Sequence, residues 1–457
     1  MKILLIRPPV KYVKGSARPA SSLPVGLLYI AAVLEEHKYD VEIYDAQINI
    51  DQPIISDSKD NMHMGDSWEI VEEEIRKRSP ELVGISGNFT AQMENVIRTA
   101  EIIKKVNNNI ITIVGGNHPT VRPDDFFLKT KAVDLVCLGE AEYTMLAIAD
   151  ALGNRRDFKA ISGTAVWDGG SVKINPRRPY IQDLDALPWP AYHLVNLEDY
   201  FLLTKKGYIG RPTWRYPGSE RAVSVTTSRG CPFNCIFCSI HLHMGRKWRQ
   251  HSAEYVLRHL EYLVDKYQIN HIHFEDDNLT LNLDRFKKLL DGIIHKKLKI
   301  TWDTPNGVRA DKITEEILKS CKQSGCVYLV FGVESGNQEV LDKIINKRLD
   351  LHKVIEVAKW CKQISLDVMS FFVIGFPGET KENMQETVDF ALWLQRKYDV
   401  NPGLFIATPL PGTELEAICR EQGLVENELT PGSLAKMTQG AFLMSGDKFK
   451  TEDLKSS

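Results

Sequence analysis

The chain has 457 residues, enough for about three domains of ordinary size, and its 43% hydrophobic and 26% charged residues describe a globular sequence. A formal charge of −3 argues against a bulk electrostatic grip on nucleic acid or an anionic lipid surface. No apolar run reaches the length of a membrane span, and the opening MKILLIRPP is a strand-like burst without the features of a signal peptide. A cytoplasmic, reducing setting is therefore expected, in which the eight cysteines read as core residues or metal ligands rather than disulfides.

Residues 1–150 read as a doubly wound α/β unit. Lys2–Ile6 and Val41–Tyr44 are strand-like, with a helical stretch over Leu27–His37 between them. Leu82–Ser86, Thr112–Val114 and Asp134–Leu138 are further short apolar runs with helical spacers, a flavodoxin-like pattern that gathers its loops at one sheet edge. Those loops are Arg7-Pro8-Pro9, Ser86-Gly87-Asn88-Phe89, Gly115-Gly116-Asn117-His118-Pro119-Thr120 and Gly139-Glu140-Ala141-Glu142. Glycine-rich turns after strands suit a large flat or phosphate-bearing ligand. Neither G-x-G-x-x-G nor G-x-x-x-x-G-K-[ST] is present, which disfavours NAD and ATP.

Residues 151–215, rich in Pro, Gly and aromatics, read as a linker with a small hairpin packed between the halves. From 216 to 425 strand-like runs alternate with helical ones. The strands are Ala222–Thr227, His271–Phe274, Ile300–Asp303, Tyr328–Val333, Ser370–Ile374 and Leu404–Ala407; the helical patterns include 252–267, 314–323, 351–363 and 381–396. This is the grammar of a parallel sheet or barrel, whose ligands collect at the strands' C-terminal ends. Residues 426–457 read as a C-terminal extension, expected to end in a polar, frayed tail.

Cys137, Cys321, Cys326, Cys361 and Cys419 stand in apolar or helical context and read as small buried hydrophobes. Cys231, Cys235 and Cys238 crowd into eight residues, and three thiolates so close need a cation. Structural zinc wants four protein ligands, and only His241 or His243 is near enough to complete the set locally. An iron–sulfur cube fits better, and three protein ligands leave one iron open for a substrate.

The C-x3-C-x2-C spacing, with Phe237 before the last cysteine, resembles the signature of the radical S-adenosylmethionine (SAM) enzymes. The resemblance implies a partial (β/α)6 barrel in which Cys231, Cys235 and Cys238 bind three irons of a [4Fe-4S] cluster. SAM then chelates the fourth iron, and Phe237 packs against adenine. It further implies that Glu275, Asp276 and Asp277 meet the SAM ammonium, a solvated turn being the plain alternative. Arg309 would hold the SAM carboxylate or merely cap its loop. Glu334 and Ser335 would bond the ribose or amino-acid part. Gly375 and Pro377, in Gly-Phe-Pro-Gly, would let backbone approach the ligand, as would Thr408–Thr413.

The succession PP, LPVGLLYIAA, YDAQ, GISGNF, VGGNHPT, LGEAE resembles the cobalamin-binding domain of class B radical SAM enzymes. That implies a corrin resting on Pro8, Pro9, Leu23, Gly26, Ser86, Gly87, Asn88, Gly115, Gly116, His118, Pro119, Gly139 and Glu140. The D-x-H-x-x-G cobalt-ligand motif is absent, and Asp60-Asn-Met-His63-Met-Gly65 has the wrong spacing. Cobalt would then have no protein imidazole below it, His118 being read as a hydrogen-bonding loop residue before a ligand.

Together these features imply a cobalamin-dependent methyltransferase. In such enzymes a 5′-deoxyadenosyl radical opens a substrate carbon or phosphinate, and methylcobalamin supplies the methyl group. An oxidative cyclase of the anaerobic porphyrin ring-E type is the alternative, and a non-catalytic cobalamin or redox-binding protein the alternative from another class. Methylthiolation is disfavoured, because the N-terminal unit holds only Cys137. Flavodoxin or ferredoxin would be the reductant. The substrate would be a small molecule, lipid, tetrapyrrole or peptide, with no nucleic acid.

Overall fold

The first strand, β1 (Lys2–Arg7), sets the plan of the N-terminal half. Ile3 and Leu5 face one apolar cluster and Leu4 and Ile6 another, each at most 1% exposed. A strand buried on both faces requires layers on both sides of its sheet. The structure is a computed structural model describing residues 1–14, 22–59, 61–209 and 219–425. The extension 426–457 and Asp60 lie outside the described residues.

The N-terminal strands continue as β2 (Val10–Val13), β3 (Asp40–Asp45), β4 (Ile54–Ser56), β5 (Asn61–Met64), β6 (Leu82–Ser86), β7 (Ile111–Gly115) and β8 (Leu135–Cys137). A hairpin of β9 (Thr164–Asp168) and β10 (Ser171–Ile174) follows. The main sheet has the order β10-β9-β8-β7-β6-β1-β3, in which β3, β1, β6, β7 and β8 are parallel and β9 and β10 antiparallel. The flavodoxin-like order is thus present, and the sheet runs past residue 150 to Ile174. The hairpin expected in the linker is part of it, because β9 bonds directly to β8. A small sheet, β2-β5-β4, lies outside every sequence expectation.

The second half begins with β11 (Ala222–Val225), the short ribbon β12 (Ser228–Arg229) and β13 (Arg249–Gln250), and β14 (His271–Phe274). Then come β15 (Thr301–Asp303), β16 (Cys326–Glu334), β17 (Asp367–Ile374) and β18 (Val400–Ile406). Six parallel strands in the order β11-β14-β15-β16-β17-β18 form the open barrel sheet. Its helices start where a side chain caps the first amides: Ser252, Asn282, Thr314, Asp350, Thr380 and Thr413 each accept a backbone N–H. Such caps stabilise a helix by about 1 kcal/mol each and stop the preceding strand where the loop must turn.

One apolar cluster runs from Ile3 through Tyr192 and Phe201 to Cys419, so the core is continuous across both halves. The 184–209 stretch supplies the join: Trp189 stacks on His259 at 5.7 Å and leans on Tyr262 at 5.0 Å. Among the described residues no helix is long and apolar enough to cross a membrane.

A candidate cluster and cofactor site between two sheet edges

The cysteine loop leaves β12 and is fixed from all sides. Gly230 has φ +82°, and a methyl group there would come within 2.7 Å of Lys247 O, so the bend entering Cys231 requires glycine. Its N–H donates to Asp277 Oδ2 at 2.9 Å. Ile236 N donates to Ile345 O at 3.1 Å, and Leu415 N to Ile236 O at 2.9 Å, tying the loop to the far side of the barrel mouth. Cys231, Cys235 and Cys238 are half-buried free thiols. Burial pushes the Cys238 thiol up to about 12 and raises that of Cys235. Phe237 packs on Phe376 at 5.8 Å. The donor set fits an iron–sulfur cluster: three soft ligands on one rigid loop, all unbridged. His243 is buried, with its proton affinity lowered to about 4, and its short helix faces the N-terminal half.

Several residues expected to touch SAM also bond to the protein around them. Asp276 is buried and accepts from Thr227 N, Thr227 Oγ1 and Ser228 Oγ, so it anchors the start of the cysteine loop. Asp277 does the same at Gly230, and burial pushes it up to about 6. Glu275 and Asp277 are both half-buried at the strand end. Arg309 donates to both oxygens of Asp311 and to the carbonyls of Lys347 and Arg348, and covers the Phe233 ring at 4.0 Å. This loop-capping role was its alternative reading. Ser335, fully buried, bonds Thr387 Oγ1 at 2.9 Å and receives Asn337 N, so it is turned into the packing beneath the site.

Glu334 stays at the site. It ends β16 after a bulge with φ +75°, a left-handed conformation uncommon outside glycine and held here by its surroundings. Its Oε1 receives Lys347 Nζ at 2.8 Å, both side chains nearly buried. Lys347 also acts electrostatically on the Cys235 thiol. Sequence reading missed it, since a lone lysine in a polar loop looks solvated. Gly332 makes room for it: a methyl group there would lie 3.1 Å from Nζ. Gly375 has φ +87° and Gly378 +91°, and Pro377 between them is buried.

The loops expected to face a corrin lie together at the C-terminal edge of the first sheet. Gly26 and Asn88 are exposed there, Gly115, Gly116, Gly139 and Ser86 half-buried, and Phe89 is 69% exposed. A methyl at Gly26 would meet open space. An exposed aromatic beside small residues fits a flat, partly apolar ring. Pro8, Pro9, Leu23 and Pro119 are buried supports: Pro8 O and Pro9 O accept from Gln47 and Asn95. Gly87 and Gly116 are required by the loops' approach to each other, since a methyl at Gly116 would come within 2.6 Å of Asn88 Oδ1. His118 is 3% exposed, with Nδ1 at Thr90 Oγ1 (3.0 Å) and Nε2 between Met93 Sδ and Asp125 Oδ2 (each 3.3 Å). His63 is likewise buried, bonded to Asp66 O at 2.6 Å.

Glu140, expected at the corrin, is engaged by the second half of the chain. Its carboxylate receives Arg229 at 2.8 Å, Arg249 at 2.7 Å and Ile181 N at 2.7 Å, while Glu142 takes the other Arg229 nitrogen at 2.7 Å. All four side chains are buried. Burial alone opposes the Arg229 charge, but Glu142 and Glu140 outweigh it and raise its proton affinity. Arg122 to Glu416, at 2.7 Å, is a second bridge between the halves. The two loop sets therefore face one another.

Comparison with known proteins agrees with this arrangement. The B12 binding domain model matches residues 17–149, and the Radical SAM superfamily model matches 225–391. An uncharacterized methyltransferase of Pyrococcus horikoshii is 34% identical over 91% of this chain and 82% of its own. The cytidylyl-2-hydroxyethylphosphonate methyltransferase of Streptomyces wedmorensis is 31% identical over 96% and 84%. Anaerobic magnesium-protoporphyrin IX monomethyl ester cyclase of Rubrivivax gelatinosus is 26% identical over 91% and 69%. Among solved structures, the methyltransferase TsrM of Kitasatospora setae with cobalamin and [4Fe-4S] cluster bound shares the fold. Its TM-score is 0.70 at 18% identity, over 93% of this chain and 78% of that one. The chain belongs to the cobalamin-binding, class B radical SAM enzymes, whose cofactors are a [4Fe-4S] cluster, SAM and cobalamin.

Proposed function

We propose that the chain methylates a carbon or phosphinate centre of a small-molecule substrate. When bound, the cluster, SAM and cobalamin would supply one-electron reduction, hydrogen-atom abstraction and the transferred methyl group. Cys231, Cys235 and Cys238 would hold the cluster, with Glu334 and Lys347 placed for the amino-acid end of SAM. The loops at Ser86–Asn88, Gly115–Gly116 and Gly139 would carry the corrin toward the barrel mouth. The observation that carries this reading is the buried Arg229–Glu140–Arg249 bridge, which fixes the cysteine ribbon against the loop after β8. Such fixed placement is what a transfer between two cofactors needs, because positioning supplies much of the rate.

The more similar relatives described above are methyltransferases, whereas the porphyrin cyclase is more distant, which supports methylation over cyclisation. A flavodoxin or ferredoxin is the class of reductant proposed. Anaerobic reconstitution with iron, sulfide and hydroxocobalamin should give about four irons and about one cobalt per chain. SAM carrying a deuterated methyl group should then label a substrate drawn from candidate phosphonates, lipids and tetrapyrroles. Iron without cobalt would overturn methyl transfer from a corrin.

A further inference from the structure

Strand period and register bring three donor side chains to one spot on the barrel's inner wall. His271 and His273 are two residues apart on β14, hence on one face, and Asp303 stands opposite His273 in the β14–β15 register. Phe274 and Trp302 occupy the opposite face, where both pack edge-on, Trp302 against Phe286 of the outer helix Leu283–His295. The two histidines and the aspartate therefore point inward.

We propose that His271, His273 and Asp303 form a divalent transition-metal site. Among the described residues theirs is the group whose three ligand atoms lie within 4.8 Å of one another. His273 Nδ1 is 2.7 Å from Asp303 Oδ1, and His271 Nε2 is 3.5 Å from Asp303 Oδ2. Bonds of about 2.1 Å around a tetrahedral or octahedral ion separate neighbouring donors by about 3.0–3.4 Å. The His271 spacing is close to this, and the His273–Asp303 hydrogen bond would lengthen by about 0.3 Å as an ion takes the place of its proton. Two imidazoles and one carboxylate are a set that Zn²⁺, Fe²⁺ or Mn²⁺ accepts.

The surroundings complete it. His271 Nδ1 is 2.7 Å from Thr301 Oγ1, whose own hydroxyl reaches Asn270 O at 3.3 Å. The threonine thus orients the ring from behind, as partners of ligating histidines do. Ser224, in register with His273 on β11 and therefore on the same face, is 2% exposed, and its Oγ has no hydrogen-bond partner among the described residues. A buried hydroxyl without a partner costs free energy unless something bonds to it. A water or substrate oxygen on the ion's open position would do so. The donors come from neighbouring strands rather than loops, which keeps the site rigid.

The test is zinc content after equilibrium dialysis and gel filtration of the full chain with its cluster reconstituted and cobalamin omitted. About one zinc per chain is expected, beyond the cluster iron. Cobalt(II) in its place should bind in a similar ratio and give a high-spin signal in low-temperature electron paramagnetic resonance, where the oxidised cluster is silent. Asp303→Asn and His273→Asn should lower zinc affinity at least tenfold with iron content unchanged. Thr301→Val, which removes only the orienting hydroxyl, should lower it about tenfold. Absence of bound zinc and cobalt in the wild-type chain overturns the proposal, as does equal binding by Asp303→Asn and wild type. Because the readout is metal content, the outcome is independent of whether methyl transfer is observed.

Discussion

Lys347 and Glu334 form a nearly buried pair, Nζ to Oε1 2.8 Å, beside Cys235. Removing one partner of such a pair leaves an uncompensated charge and costs about 3–5 kcal/mol. Lys347→Met should therefore lower the melting temperature and weaken SAM binding measured by equilibrium dialysis. Adding Glu334→Gln should recover much of the stability but not the SAM affinity. Full recovery of both would show that the pair is purely structural.

Cys235→Ala should abolish reductive cleavage of SAM and reduce the iron content. The corrin edge of the first sheet is built from its own strand-end loops, at Ser86–Asn88 and Gly115–Pro119, so cobalamin uptake, followed by its visible spectrum, should persist. Loss of both together would contradict the separation of the two sites.

His118 is held by Thr90, Met93 and Asp125. Electron paramagnetic resonance of bound cob(II)alamin should show no protein nitrogen below the cobalt. His118→Ala should leave that spectrum unchanged while costing about 1–3 kcal/mol of stability.

Arg229 joins Glu140 and Glu142 across the two halves. Arg229→Met should destabilise by about 3–5 kcal/mol. In a double-mutant cycle with Glu140→Gln the two losses should be non-additive, since the residues share one network. Additive losses from thermal or denaturant unfolding would mean that the bridge is not a unit.

Burial pushes Glu379 up to about 7, against the pull of the Phe376 and Gly375 amides, from an ordinary 4.5. The folded state thus binds this proton more tightly than the unfolded chain. Its contribution is full below about pH 4.5 and is lost as pH rises through about 7. At about 1.4 kcal/mol per pH unit the loss is about 3 kcal/mol. Glu379→Gln should remove that slope, so its melting temperature relative to wild type should rise between pH 5 and 8.

Much of this was legible in the sequence. The central strands stand out because a strand buried on both faces must be an unbroken apolar run, as Ile3–Ile6 is. The cysteine loop is legible because its chemistry depends on spacing alone. The small β2-β5-β4 sheet was not, since its strands are short and β2 pairs with residues some fifty positions away. Nor was the use of Glu140, Asp276 and Ser335. Each sits at a strand end, where ligands gather, but a side chain's partner there is decided by tertiary packing. Arg229 lies next to the cysteine motif, yet nothing local says that it reaches across to the loop after β8.

The continuous apolar cluster from Ile3 to Cys419 also bears on how the protein can be taken apart. A fragment cut between the sheets would expose Tyr192, Phe201 and their neighbours to water, and would be expected to aggregate. The corrin half and the iron–sulfur half are thus not interchangeable cassettes. A change of substrate can then be sought in the walls between them, leaving in place the frame that spaces the two reaction centres.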